Sequence, residues 1–262
     1  MPREPKPPRA PAITESAARD VGSASGGVKV PAAPVANESQ VAAFVAKIKA
    51  LGPATGGGRG RLIFAMDATM SRRPTWDMAL GLQGDMFHAV KEVGGLDVQL
   101  VFFRGAGECR ASPWVSDPAE LARLMTKVAC HGGYTQIGKV LSHARRETER
   151  RKVHALVYVG DAMEESVDDL CGRAGKLALI GVPVFLFQEG HDAAVARAFG
   201  EIARLTKGAA CRFDAGSAGE LRELLTAVAV YAAGGQQALL ALAEKSRGGG
   251  AKLLLSQMKS GH

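Results

Sequence analysis

Three short stretches of this chain place oxygen-bearing side chains where a backbone element ends. Asp67-Ala68-Thr69-Met70-Ser71 follows directly on the apolar run Leu62-Ile63-Phe64-Ala65-Met66. In an extended connection leaving a strand, alternate residues point the same way, so Asp67, Thr69 and Ser71 can converge with one carboxylate and two hydroxyls. Asp161 ends a second apolar run, Val157-Tyr158-Val159-Gly160, in the same manner. Thr135 closes Gly132-Gly133-Tyr134-Thr135, where two glycines let backbone come close to a neighbouring site. Hard oxygen donors of this kind suit Mg²⁺, or the related Mn²⁺ and Ca²⁺, rather than zinc or copper.

The elements that must position these residues alternate between strand and helix. Leu62–Met66 reads as a parallel strand buried on both faces. Thr75 to Val93 reads as a helix, Val98 to Phe103 as a strand, and Gly105-Ala106-Gly107 as a turn into a hairpin partner. Asp117-Pro118-Ala119-Glu120 carries the capping residue, first-turn proline and glutamate that open a helix. A helix from about 136 to 151, a strand over 155–159 and a helix near 165–179 follow. Then come a strand over 182–187, a helix over 193–205, a short strand at 211–213 and a capped helix from Ser217 to about Tyr231. The alternation predicts an α/β, doubly wound, mostly parallel sheet with helices on both faces. In such sheets ligands sit at the carboxyl ends of strands where the strand order reverses. A right-handed crossover helix runs antiparallel to its strands, so the helix after Thr135 starts at that same edge. Asp67, Thr69, Ser71, Thr135 and Asp161 are therefore expected to face one crevice.

Composition bounds what else the chain can be. Of 262 residues 47% are hydrophobic, enough to bury a large core. Seven of the 12 prolines fall before residue 39 among Ala, Ser and Gly, so residues 1–36 are expected to form a disordered tail. Residues 37–58 read as a short amphipathic helix, with Val41, Phe44, Val45, Ile48 and Leu51 on one face, and a Gly-rich linker. The main domain is expected over 59–232, with a helical or flexible tail over 233–262 whose last residues, from about 248, are dispensable. No apolar stretch follows the N-terminal charges and no run reaches ~18 apolar residues, so neither a secretory leader nor a membrane span is expected. Four cysteines lie far apart without a C-x-x-C pair, which suits a reducing cytoplasm. The net charge of +7, with only 5% aromatics, is a mild basic bias and weak evidence for nucleic acid, which is not expected as a partner. Arg145, Arg146, Arg150, Arg151 and Lys152 read as a solvated helix end, and Cys130-His131 as a buried thiol beside a surface imidazole.

Taken in order, D-A-T-M-S, G-G-Y-T and V-G-D make the chain resemble the von Willebrand factor A domain with its metal-ion-dependent adhesion site. That family carries D-x-S-x-S, a threonine in a glycine-rich loop and an aspartate after a later strand; the departure here is Thr69, which keeps the hydroxyl. The resemblance spans about residues 59–232. It implies that Ser71, Thr69 and Thr135 contact a Mg²⁺-type ion, that Asp67 and Asp161 hold it through water, and that an open position accepts a partner's carboxylate. The implied function is a non-enzymatic, cytoplasmic adaptor whose partner offers an acidic side chain, an AAA+ ATPase or a stress-cluster protein being the family expectation. The alternative is a haloacid-dehalogenase-like, Mg²⁺-dependent phosphatase with Asp67 as nucleophile and Glu164 and Glu165 as further acids. That outline needs a second carboxylate where Thr69 stands, and a threonine cannot act as a carboxylic acid does.

Overall fold

The computed structural model describes residues 59–91, 93–214, 217–245 and 249–258. The expected tail over 1–36 and the amphipathic segment over 37–58 lie outside the described residues.

The central strand β1, Gly60–Asp67, is buried along its whole length. It pairs in parallel with β2, Leu96–Arg104, on one side and with β4, Ala155–Gly160, on the other. Beyond β2 lies the antiparallel edge strand β3, Glu108–Val115; beyond β4 lie β5, Val184–Glu189, and β6, Ala209–Phe213, both parallel. The sheet order is β3-β2-β1-β4-β5-β6. Strand order reverses between β1 and β4, which is where Asp67 and Asp161 emerge.

Alternation along β1 explains its continuous apolar text. Leu62, Phe64 and Met66 face a layer built from α1, Arg73–Ala89, with α6, Ala218–Lys245, and α7, Gly250–Gln257. Ile63 and Ala65 face a second layer built from α3, Ile137–Arg150, α4, Val167–Leu179, and α5, Ala193–Thr206. With helices covering both faces, no strand position can be polar without a specific partner. Helix α2, Pro118–Thr126, begins as its sequence dictates: the Asp117 carboxylate accepts the Glu120 amide at 3.0 Å.

The carboxyl-terminal part departs from expectation. Helix α6 does not stop near Tyr231 but runs to Lys245, turning at Gly235, whose φ of 66° is open to glycine at little cost. Past the bend, Leu239, Leu240 and Ala243 continue the buried face. Helix α7 then brings Leu254 and Leu255, both 0% exposed, into the same core. The packed structure thus continues well beyond residue 232, and removal of the segment around Leu254-Leu255 is expected to cost stability. Although α6 is long and apolar enough to cross a membrane, 61% of its most apolar window is buried inside the domain. Leu255→Ala should cost about 2 kcal/mol by urea unfolding, the lower end for a buried leucine whose site partly collapses.

Candidate metal centre

Asp67 closes β1 and is 2% exposed. Its Oδ1 accepts the Thr69 amide at 2.8 Å, a local turn that a short acidic side chain forms readily. Met70–Arg72 make one 3₁₀ turn into α1, which carries Ser71 to the surface and brings its Oγ 3.4 Å from Thr69 Oγ1. One carboxylate and two hydroxyls therefore gather at the end of β1, as the alternation implied.

The other two residues arrive on separate loops, and hydrogen bonds, backbone to backbone or to the Glu164 and Glu165 side chains, tie the loops together. The Thr135 loop docks on the first: His131 N–H donates to Ala68 C=O at 3.0 Å. It also docks on the β2–β3 turn, where Tyr134 N–H donates to Gly105 C=O at 3.2 Å. A Cβ on Gly133 would stand 2.2 Å from the Gly105 nitrogen, so only glycine permits that approach. The Asp161 loop docks on the start of α3, which has no side-chain cap of its own. Glu165 accepts the amides of Ile137 at 2.5 Å and Gly138 at 2.9 Å, while Glu164 accepts the Thr135 amide at 2.9 Å. These carboxylates fill the orphan donors of a helix N-terminus and suit its positive dipole end. Finally, the buried Arg72 guanidinium lies 3.4 Å from Asp161 and pairs with Glu189 at the end of β5, which also accepts the Thr75 hydroxyl. Asp67, Thr69 and Ser71 are thus linked at the end of β1, Asp161 reaches the same edge through Arg72, and Thr135 is carried on a loop that docks beside them.

Solved structures share the fold, whereas neither family models nor curated protein sequences match the chain. A von Willebrand factor type A protein from Catenulispora acidiphila aligns with a TM-score of 0.56 and 17% identity, over 66% of this chain and 43% of that one. Pilus adhesin SpaC from Lactobacillus rhamnosus GG aligns with a TM-score of 0.52 and 10% identity, over 66% and 30%. Proximal thread matrix protein 1 from the mussel byssus, in a structure described as having a zinc-occupied MIDAS motif, aligns with a TM-score of 0.50 and 18% identity, over 66% and 46%. The fold is that of a von Willebrand factor A (VWA) domain. This chain covers less than half the length of each of those proteins.

Within the VWA fold, the chemistry of the donors can be tested against a divalent cation. Burial, with the Asp161 charge as a smaller cause, pushes the Asp67 carboxyl up to about 6, although hydrogen bonds from Thr69 pull the other way. A buried carboxylate held above its ordinary range is short of positive charge, which a hard cation supplies. Thr135, 6% exposed, donates its hydroxyl proton to Glu164 at 2.6 Å and accepts the Glu164 amide at 3.2 Å. A hydroxyl has one proton and two lone pairs, so one lone pair is left over from these two bonds. The donors fit. Among the described residues no group of three or more His, Cys, Asp and Glu side chains gathers, so any ion here must rely on hydroxyls.

Three participants escaped the sequence reading. Arg72 shows no local sign of burial, and its partner Glu189 lies 117 residues away. Glu164 and Glu165 read as extra acids of a phosphatase, but both are engaged at the start of α3. The only advance signal was the lack of a capping side chain at Gln136, which left the α3 amides needing an acceptor from elsewhere. Cys130 is buried and His131 exposed, as the residues themselves suggested.

Proposed function

We propose that this VWA domain is a protein-interaction module that grips an acidic side chain of a partner through a Mg²⁺-type ion held by Asp67, Thr69, Ser71, Thr135 and Asp161. The observation that carries this reading is what surrounds the crevice. Met70 and Tyr134 are 67% and 66% exposed, and they sit on the two loops that deliver Thr69, Ser71 and Thr135. Large apolar side chains left in water at the rim of a polar, buried cluster are the mark of a docking surface. A small-molecule site would instead enclose its ligand within apolar walls. The zinc-occupied MIDAS motif of the mussel protein supports a divalent ion at this place in the fold.

Each side chain has a distinct part. Thr69, Ser71 and Thr135 offer hydroxyl oxygens; Asp67 and Asp161 supply charge; Glu164 fixes the Thr135 hydroxyl with its proton turned away from the crevice. The ion, when bound, leaves an open coordination position for a carboxylate. Arg72 holds Asp161 from behind and keeps the two site carboxylates from repelling each other freely. The domain is read as non-enzymatic and cytoplasmic, with an AAA+ ATPase or stress-cluster protein as the partner class. The phosphatase outline finds no support among the described residues: no lysine bonds to Asp67 or Asp161, and Glu164 and Glu165 are occupied.

Manganese titration followed by electron paramagnetic resonance tests the reading directly. One equivalent should bind, and Asp67→Asn should abolish it. Glu164→Gln should weaken it about tenfold, as loss of a supporting carboxylate does at other metal sites. Capture of an acidic partner should fail in chelator and with Thr135→Ala. Turnover of a phosphate monoester lost on Asp67→Asn would replace this reading with the phosphatase.

A further inference from the structure

Away from the metal centre, a groove of about 500 Å³ runs between the edge strand β3 and helix α3. Five cationic side chains line it: Arg110 from β3, Lys139, Arg145 and Arg146 from α3, and Arg173 from α4. No carboxylate is among the lining residues. Two of the five cations have acidic partners nearby, Arg110 with Glu108 at 2.7 Å and Arg145 with Glu149 at 2.9 Å. The other three, Lys139, Arg146 and Arg173, form no salt bridge among the described residues. Two of these are nonetheless held in place: Lys139 Nζ donates to Gly107 C=O at 2.8 Å, and Arg173 Nη1 donates to Ser142 Oγ at 2.6 Å. Lys139, Ser142 and Arg146 follow one another at three- and four-residue spacing and so share a face of α3.

We propose that this groove binds a small anion carrying two or more phosphoryl groups. Like charges gathered in so small a space repel, and an anion between them turns that repulsion into attraction. Lys139 and Arg146 lack an acidic partner and Arg173 is only partly offset by Glu165, which together exceed what a single carboxylate neutralises, whereas each phosphoryl group carries nearly two charges and three acceptor oxygens. Four of the five cations are arginines, whose planar forks match phosphoryl oxygens in pairs. The volume falls in the range of small-ligand sites. The lining holds no Phe, Tyr or Trp, and its one imidazole, His143, is engaged with Gln99 Oε1 at 2.8 Å, so it is the phosphates of the ligand that would be read.

Isothermal titration of the full chain with sodium tripolyphosphate, in chelator and at fixed ionic strength, tests the proposal. Binding should be saturable, with one site per chain. The pair Arg146→Gln and Arg173→Gln should weaken it by at least about tenfold, since charge-assisted hydrogen bonds are lost. The pair Arg197→Gln and Arg212→Gln, equal in charge and exposed elsewhere, should leave it unchanged. Thr135→Ala should bind tripolyphosphate as the wild type does, which keeps this groove distinct from the metal centre. If the Arg173 variant fails to fold for want of its bond to Ser142, Arg146→Gln alone carries the test. Equal losses in both pairs would show a diffuse charge effect and overturn the proposal. Orthophosphate binding as tightly as tripolyphosphate would also overturn it. So would duplex DNA binding more tightly than tripolyphosphate with the same dependence on Arg146 and Arg173.

Discussion

Arg72→Ala should lower the melting temperature by roughly 6–12 °C. The Arg72 side chain is 3% exposed and Glu189, its partner, 13%. Removing one member of a buried pair leaves the other charge without compensation, at a cost of about 3 kcal/mol. For a domain of this size each kcal/mol is worth about 2–4 °C. The Thr75 hydroxyl remains to donate to Glu189, which holds the loss to the lower part of the range for such pairs. Arg72→Met combined with Glu189→Leu should recover most of the stability, because apolar replacement of a whole buried pair is often neutral. Thermal unfolding of the three proteins decides the matter, and a loss under about 1 kcal/mol for the single variant would mean that water already solvates Glu189.

Mg²⁺ or Mn²⁺ at one hundred times its Kd should stabilise the wild type by about 2.7 kcal/mol, because the ion binds the folded state and not the unfolded one. That corresponds to a rise in melting temperature of roughly 5–11 °C. Thr135→Ala should abolish the rise, since a methyl group offers no oxygen to an ion that demands nearly complete coordination. His88→Ala, exposed on α1, should leave it intact. The effect should also depend on pH, with a sign fixed by Asp67. Its carboxyl sits near 6 in the folded protein against an ordinary value of 3.8, chiefly because it is buried. The folded state therefore binds this proton more tightly than the unfolded one, and the metal-free protein carries a penalty on the order of 3 kcal/mol above about pH 6. The penalty fades as pH falls from 6 toward 4. Asp67→Asn should remove that dependence and raise the metal-free melting temperature at pH 7.5. The rise caused by the ion should shrink below pH 6, where a proton competes with it for Asp67. An ion-induced shift of the same size at pH 5 and pH 7.5 would exclude Asp67 from the site.

What could be read from the sequence was whatever is decided over a few residues. Asp67 and Asp161 each follow an apolar run directly, so their place at strand ends needed no knowledge of the rest of the molecule. Thr135 required one further step, the direction of a crossover helix, and that step is general to parallel sheets. Long-range pairings were another matter. Nothing around Arg72 tells that its guanidinium turns inward, because its burial depends on Glu189 and Asp161 across the sheet. Glu164 and Glu165 lie in a polar, acidic loop, and only the folded chain shows that α3 begins beside them. The carboxyl terminus misled for a different reason. The helix expected to end near Tyr231 instead bends at Gly235 and continues, and Gly250 opens a further helix where a loose tail was expected. Burial of Leu254 and Leu255 follows from the layer of α6 and β6 on which the last helix packs.

The antiparallel edge strand β3 bears on how this protein behaves when crowded. A sheet with two free sides presents unpaired amides and carbonyls that invite a strand from another molecule. On β3, Pro113 has no amide to offer, and the charged side chains of Glu108 and Arg110 stand within the strand. The pairing with β2 shifts between Gln99 and Val101, where Ser112 Oγ takes the Leu100 amide at 3.0 Å, an irregularity that twists the margin out of register for a flat neighbour. At the opposite side β6 is only five residues long and carries the exposed Arg212. Both margins thus resist strand addition, so self-association through sheet extension should stay suppressed even at high concentration.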